Sequence, residues 1–189
     1  EMEFPLRDAA DIARLSTEAI EDRLSYVTEA LRLIKPQLDH RTALLGFAGS
    51  PWTLANFMLD GGSTKNHTQA LRLLREDPVL LKTLLHKLTT AVTRFLRAQI
   101  DAGADAVQLF DTHGGLLPGE LFEAGSGKWL RRIISELDTT VPVIVFSKGA
   151  RDWNTLLTLD ADVIGIDPAF DLVEARQRFP ADIAIQGNL

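Results

Sequence analysis

The sequence contains no cysteine among its 189 residues, which excludes disulfides and thiolate metal sites together. No apolar run approaches the ~20 residues that a helix needs to span a bilayer. The opening segment Glu1-Met2-Glu3-Phe4-Pro5-Leu6-Arg7 lacks both the basic start and the apolar stretch of a secretory leader. No methionine stands at position 1, and the chain stops at Leu189 directly after an apolar run. A piece from inside a longer protein is therefore expected. An excess of basic residues is missing too: 20 Lys and Arg face 26 Asp and Glu, a formal charge of −6. That balance argues against non-specific nucleic-acid binding, which needs a basic footprint. It leaves room for an anionic small molecule held at a locally basic site. There is no repeat of solenoid period, no low-complexity tract and no Pro/Gly/Ser linker. The expectation is a soluble, cytoplasmic protein with no membrane or nucleic-acid partner.

What is present is ordinary globular composition, 46% hydrophobic and 24% charged, with a length that suits one domain over residues 1–189. Short apolar runs recur at Ala43–Phe47, Ala106–Phe110, Pro142–Phe146, Asp162–Ile166 and Ile183–Ile185. Each is apolar on consecutive positions, the pattern of strands buried on both faces and hence of a parallel sheet covered by helices. Helical spacing fills the intervals. Asp8–Leu38 predicts one or two helices through Ile12, Leu15, Ile20, Leu24, Val27, Leu31 and Ile34. Thr68–Arg75 predicts a short one ended by Asp77-Pro78. The longest, Val79–Ala102, carries the stripe Leu81, Leu84, Leu85, Leu88, Val92, Phe95 and Leu96, with Gly103 where a helix-ending glycine belongs. Pro118–Leu137, Trp153–Leu159 and Leu172–Phe179 complete the set.

This alternation gives an α/β fold, either an open doubly wound sheet or a closed barrel. Two observations favour the barrel. No Gly-x-Gly-x-x-Gly follows a strand, so the dinucleotide fingerprint is missing. Polar residues cluster just after the strands, at Gly49-Ser50, Asp111-Thr112-His113, Ser147-Lys148, Asp167 and Gln186-Gly187-Asn188. In a barrel all such ends face one rim, where barrel enzymes place their sites. A (β/α)8 TIM barrel needs eight strands and this chain predicts five or six, so the expectation is the central part of a barrel.

Four segments carry candidate chemistry, and each has a plainer structural explanation beside it. Gly46-Phe47-Ala48-Gly49-Ser50-Pro51-Trp52 puts two glycines at a strand end, suited to close approach of a ligand or to a tight turn that buries Trp52. Asp111, Thr112 and His113 gather a carboxylate, a hydroxyl and an imidazole at a strand end, costly to bury unless partnered. The plainer alternative makes Asp111 a turn cap and His113 a satisfied surface residue. Lys148 either pairs with ligand carboxylates or points to solvent. Gln186, Gly187 and Asn188 orient a ligand or fix the rim. His67 and His86 read as surface or packing residues. They are not at metal-ligand spacing, so no metal site is expected. There is also no Ser/His/Asp arrangement in a nucleophile-elbow context.

Six segments together resemble uroporphyrinogen decarboxylase. They are GFAGSPWTL (Gly46–Leu54), FMLDGG (Phe57–Gly62), AGADAVQLFDTHGG (Ala102–Gly115), VIVFSKG (Val143–Gly149), VIGID (Val163–Asp167) and IQGNL (Ile185–Leu189). Their order and separations match as well, so the resemblance covers nearly the whole chain. It implies a barrel enzyme of haem biosynthesis, usually a homodimer, that removes CO2 from the four acetate side chains of uroporphyrinogen III without a cofactor. Protonation of the electron-rich pyrrole would supply the electron sink that decarboxylation needs. By the same resemblance Thr112 matches a substrate-contacting hydroxyl residue. Gly46, Phe47, Ala48, Gly49, Phe57, Asp111 and His113 fall among the implied substrate-binding positions.

Phe57 departs from the family, where most members have tyrosine. A phenol donates a hydrogen bond to a substrate carboxylate and a phenyl ring does not; a neighbour such as Asn56 is the candidate substitute. The family's arginine-bearing Met-Arg-Gln-Ala-Gly-Arg segment, its pyrrole-binding aspartate and its late histidine have no counterpart here. The principal catalytic groups are thus expected outside this chain, and the 189 residues alone are expected to be inactive. Two other readings remain: a related barrel methyltransferase acting on corrinoids or thiols, and a non-catalytic tetrapyrrole-binding homologue. Thiol-activating members of the former usually hold zinc through His and Cys, and this chain has no Cys.

Overall fold

A computed structural model describes residues 5–39, 41–62, 68–149 and 153–187. Five strands form one sheet: β1 Leu45–Gly49, β2 Ala106–Asp111, β3 Val143–Ser147, β4 Val163–Gly165 and β5 Ala184–Gln186. Their spatial order is the chain order and every pair is parallel. A helical crossover therefore follows each strand before the next begins, the repeating unit of a barrel rather than of a doubly wound sheet, whose order would reverse. All five expected strands are present, displaced by no more than two residues at either end.

The helices are α1 Ala9–Arg14, α2 Ile20–Arg23, α3 Ser25–Ile34, α4 Pro51–Asp60, α5 Thr68–Glu76, α6 Pro78–Asp101, α7 Gly119–Phe122, α8 Lys128–Leu137, α9 Trp153–Leu157 and α10 Leu172–Arg178. The N-terminal region is more broken than its spacing predicts, because Ala19 takes a left-handed conformation (φ 55°) ahead of α2 and a 3-10 turn, Lys35–Leu38, follows α3. By contrast α6 matches its prediction closely. Asp77 caps it through its carboxylate to the Leu80 amide (3.0 Å), Pro78 occupies the first turn, and Gly103 turns the chain at φ 102°. Its stripe of Leu81, Leu84, Leu85, Leu88, Val92 and Leu96 is buried in the main core.

Strand residues alternate between two faces. Ala48, Val107, Leu109, Val143, Val145 and Ile164 are buried against the helices, none more than 7% exposed. On the opposite face the register aligns Phe47, Gln108 and Ile144 in one row, and Gly49, Phe110, Phe146, Gly165 and Gln186 in the next. Phe47 there is 61% exposed. The core thus lies on the helical side, and the second face is open. No helix of the described residues is long and apolar enough to cross a membrane.

Candidate active site

Because the strands are parallel, their C-terminal residues Gly49, Asp111, Ser147, Gly165 and Gln186 share one rim. Local sequence shapes each turn there. At the end of β1, Ser50 leaves the strand in extended conformation and its hydroxyl accepts from the Thr53 amide (3.0 Å), starting α4 with Pro51 in its first turn. Trp52 and Thr53 then reach the neighbouring loop: the indole Nε1 donates to the His113 carbonyl (3.0 Å), and the His113 amide donates to Thr53 Oγ1 (3.2 Å). The loop after β2 is tied in turn to that after β3, the Gly115 amide donating to the Lys148 carbonyl (2.9 Å). The loop after β3 is tied to β4, with the Gly149 amide on Asp167 Oδ2 (3.0 Å). A continuous belt of hydrogen bonds therefore runs along the rim from β1 to β4.

Asp111 sits beneath this belt with no exposed surface. Its side chain points to the helical layer, one residue out of phase with Phe110. Oδ1 accepts from the Ser50 hydroxyl (2.6 Å), and Oδ2 accepts from the hydroxyls of Ser126 (2.9 Å) and Ser147 (2.8 Å). Burial pushes the Asp111 carboxyl above its ordinary value of 3.8, while the Ser50, Ser147, Ser126 and Thr53 hydroxyls pull it back without prevailing. Gly114 closes over the pair: a Cβ there would lie 2.1 Å from Asp111 Oδ2 and 2.2 Å from Ser147 Oγ. Only glycine fits.

The open face of the sheet presents a diagonal row of phenylalanines. Phe47 and Phe110 pack edge to face at 5.9 Å, as do Phe110 and Phe146 at 6.2 Å. Gly165 continues the row without a side chain, since a Cβ would come within 3.0 Å of the Phe146 ring. Beside it lies a hollow of ≈ 270 Å³ lined by Gln108, Phe110, Phe146, Gly165, Ile166, Gln186 and Gly187. Complete small-molecule sites run to roughly 300–1,000 Å³ and enclose most of their ligand. The hollow falls short of such a site and lies open on one side.

A family model for uroporphyrinogen decarboxylase (URO-D) matches residues 1–189. The chain belongs to the uroporphyrinogen decarboxylase family. Curated uroporphyrinogen decarboxylases from Coxiella burnetii and Methylococcus capsulatus are 43% and 44% identical to it, over 98% of this chain in each case. The match covers 53% and 54% of those proteins, so the chain spans about half the length of the curated relatives it matches. Among solved structures, a methyltransferase from Methanosarcina mazei superposes with a TM-score of 0.78 over 98% of this chain and 54% of its own. At 14% identity that likeness concerns the fold, and with the family match it places the five strands in a TIM barrel.

Within this family member the expected site residues fall into two layers. Phe47 and Thr112 are exposed, and Phe57 is half-buried with its ring 5.0 Å from the buried His113 imidazole. Gly49 is partly exposed at the strand end. Gly46, Ala48 and Asp111 turn away from the open face and are buried. Lys148 is exposed at the rim, as are Gln186 and Gly187. Asn56 is wholly buried, its amide nitrogen on the Trp52 carbonyl (2.8 Å). His86 lies on the exposed side of α6, 3.5 Å from an Arg132 nitrogen. His67 and Asn188 lie outside the described residues.

Two participants went unread in the sequence. Ser126 lies in a π-turn, Glu123–Gly127, that interrupts what spacing predicts as a single helix from Pro118 to Leu137. The Gly125-Ser126-Gly127 run was the available signal, since two glycines weaken an α-helix there. Gln99 of α6 is the other. Its side-chain amide accepts from the Phe47 amide (2.9 Å) and donates to the Phe47 carbonyl (3.0 Å).

Proposed function

We propose that the chain is the central part of a (β/α)8 barrel and supplies one wall of the active site of a uroporphyrinogen decarboxylase. The carrying observation is the family match along all 189 residues, with 43% identity to curated decarboxylases. The open phenylalanine row agrees with it, being broad and apolar enough to take the face of a tetrapyrrole.

The reaction follows from the substrate's own chemistry. Protonating a pyrrole ring makes it an electron sink. The bond between an acetate methylene and its carboxylate then breaks, its electron pair flows into the ring, and CO2 leaves. A proton then adds to that methylene to give a methyl group, and the first proton leaves the ring carbon, which restores the pyrrole. Repeated four times, this converts uroporphyrinogen III to coproporphyrinogen III with no cofactor assigned. A group stabilising the cationic ring would carry most of the catalysis, and we place it, with the arginines for the carboxylates, in the remainder of the barrel. From this chain, Phe47, Phe110 and Phe146 would support the macrocycle. Thr112 would donate to a substrate carboxylate, and Phe57, His113 and the Gly49 backbone would line the rim. Gly46, Ala48 and Asp111 we assign to support of that wall. A homodimer in the cytoplasm is proposed on the resemblance alone.

The test is decarboxylation of uroporphyrinogen III, with the full-length protein and residues 1–189 assayed side by side. Coproporphyrinogen from the full-length protein alone is expected. No product from it would overturn the reading, and robust turnover by the isolated 189 residues would overturn the division of the site.

A further inference from the structure

We infer that Asp111 is a positioning residue, a buried hub whose carboxylate fixes the Thr112–Gly115 loop in one place on the rim. This rests on the proposed decarboxylase for its kinetic consequence, but not for its structural one.

Four separate segments meet at this one side chain. The turn after β1 arrives through Ser50, the π-turn through Ser126, the end of β3 through Ser147, and the β2 loop through Gly114 closing on Oδ2. The backbone joins in, since the Asp111 carbonyl accepts from the Lys148 amide (3.2 Å). Ser50 is shared further: it donates to Asp111 while accepting from Thr53, whose own hydroxyl accepts from the His113 amide. Thr112 and His113 are thereby held from both sides by contacts that lead back to one carboxylate.

Such a hub is not the cheapest way to fill the space. A carboxylate removed from water is costly even when fully hydrogen-bonded, and an apolar residue of similar volume often gives equal or greater stability. What the polar centre adds is direction. Three hydroxyl donors with fixed origins meet two acceptor oxygens in a single arrangement, whereas apolar packing tolerates small slides. Exposed Thr112 is the next residue along, so a slide there displaces the hydroxyl proposed to meet substrate. Asp111 itself, with no exposed surface, cannot touch substrate in this geometry.

The experiment uses the full-length protein and four variants: Asp111→Asn, Ser126→Ala, Thr112→Ala, and Asp111→Asn combined with Thr112→Ala. Asparagine keeps the shape but replaces one acceptor oxygen with a donor that the serine hydroxyls do not match. Ser126→Ala removes a single donor that belongs to the π-turn rather than to the rim loop, and keeps the proposal testable should Asp111→Asn fold poorly. Hydrogen exchange comes first. Exchange within segments 112–117 and 147–149 is expected to accelerate about tenfold or more in Asp111→Asn, and less in Ser126→Ala, with residues 81–96 of α6 unchanged. Equal protection of the rim segments in variant and parent would overturn the inference whether or not the protein is active. Uniform acceleration including α6 would overturn it as well, because Asp111 would then serve general stability. In the decarboxylase assay, Asp111→Asn should lower kcat/KM about tenfold or more. The double variant Asp111→Asn with Thr112→Ala should be no worse than Thr112→Ala alone, within about twofold. Multiplying losses would mean that Asp111 does not act through Thr112. Absence of decarboxylation by the parent protein would sink the functional reading only, and the exchange comparison would still decide the positioning.

Discussion

At the scale of single residues, the carboxylate of Asp111 and the missing side chain of Gly114 form one unit. Adding a methyl at Gly114 drives it into Asp111 Oδ2 and Ser147 Oγ, at 2.1 and 2.2 Å. Neither partner can retreat without giving up a hydrogen bond. Gly114→Ala should therefore destabilise the folded protein by roughly 1–3 kcal/mol, as overpacking in a filled interior does, measured as a shift in the urea midpoint. The pH dependence at Asp111 runs opposite to that of a salt-bridged aspartate. Its folded carboxyl lies above the ordinary 3.8 because burial outweighs the hydroxyls. Well below that ordinary value both folded and unfolded states hold the proton, and the site carries no penalty. As pH rises, the unfolded chain releases its proton first, so stability falls until the folded carboxyl also ionises. Asp111→Asn removes that dependence. The substitution should thus cost more stability at about pH 4 than at about pH 7 when unfolding is compared at the two values. A cost that grows with pH would reverse the assignment. Phe57 lacks the phenolic hydroxyl that the resemblance implies at this position. Asn56 has no exposed surface in this geometry and its amide nitrogen donates to the Trp52 carbonyl, so it offers no exposed donor in the phenol's place. Phe57→Tyr in the full-length protein should then lower KM for uroporphyrinogen about threefold to tenfold, the net worth of one ordinary hydrogen bond. An unchanged KM would mean that this position does not reach the substrate.

At the scale of elements, β1 shows how far sequence reading reaches. Its existence was legible because a strand buried between layers is apolar on consecutive positions, and the same holds for β2 to β5. Its edge was not. The Leu44 carbonyl and the Ser50 amide bond toward β2, so Phe47, in the opposite phase, turns its own amide and carbonyl away from the sheet. There the Gln99 side chain meets both, as a neighbouring strand would, and Gly46 leaves the room: a Cβ would stand 2.9 Å from Gln99 Oε1. Nothing local marks a glutamine late in an apolar helix as the partner of a strand 52 residues earlier. Gln99→Leu should leave two backbone groups of Phe47 without their partner and cost about 1–3 kcal/mol, read from chemical unfolding. Helical breaks followed the same division. The α6 boundaries were written in Asp77, Pro78 and Gly103, whereas the π-turn at Glu123–Gly127 depends on Ser126 finding Asp111 across the interface. Likewise each strand-end polar residue was visible singly. The convergence of Ser50, Ser126 and Ser147 on one carboxylate is a tertiary fact that no spacing encodes.

At the scale of the whole molecule, the distribution of apolar surface argues for a larger assembly than these strands alone. One face of the sheet is covered by helices, α4 and α6 foremost, while the other leaves Phe47 61% and Leu45 44% exposed beside Phe110 and Phe146. In a closed barrel that face is interior, filled by side chains from the remaining strands. The relatives have about twice the length of this chain, enough for those strands, and we propose that they cover the row and bring the cation-stabilising groups opposite it. Residues 1–189 expressed alone would then carry an open apolar face and, among the described residues, two edge strands without a further strand beside them, β1 (met only by Gln99 at Phe47) and β5, the combination that favours association. Sedimentation should find them self-associated and inactive at concentrations where the full-length protein sediments as one discrete species. The replacement Phe47→Asp shortens that exposed row, and it should reduce the association of the isolated segment while abolishing turnover in the full-length enzyme. A segment that stayed monomeric with its phenylalanines intact would show that this face needs no cover, and the barrel wall would have to be sought elsewhere on the molecule.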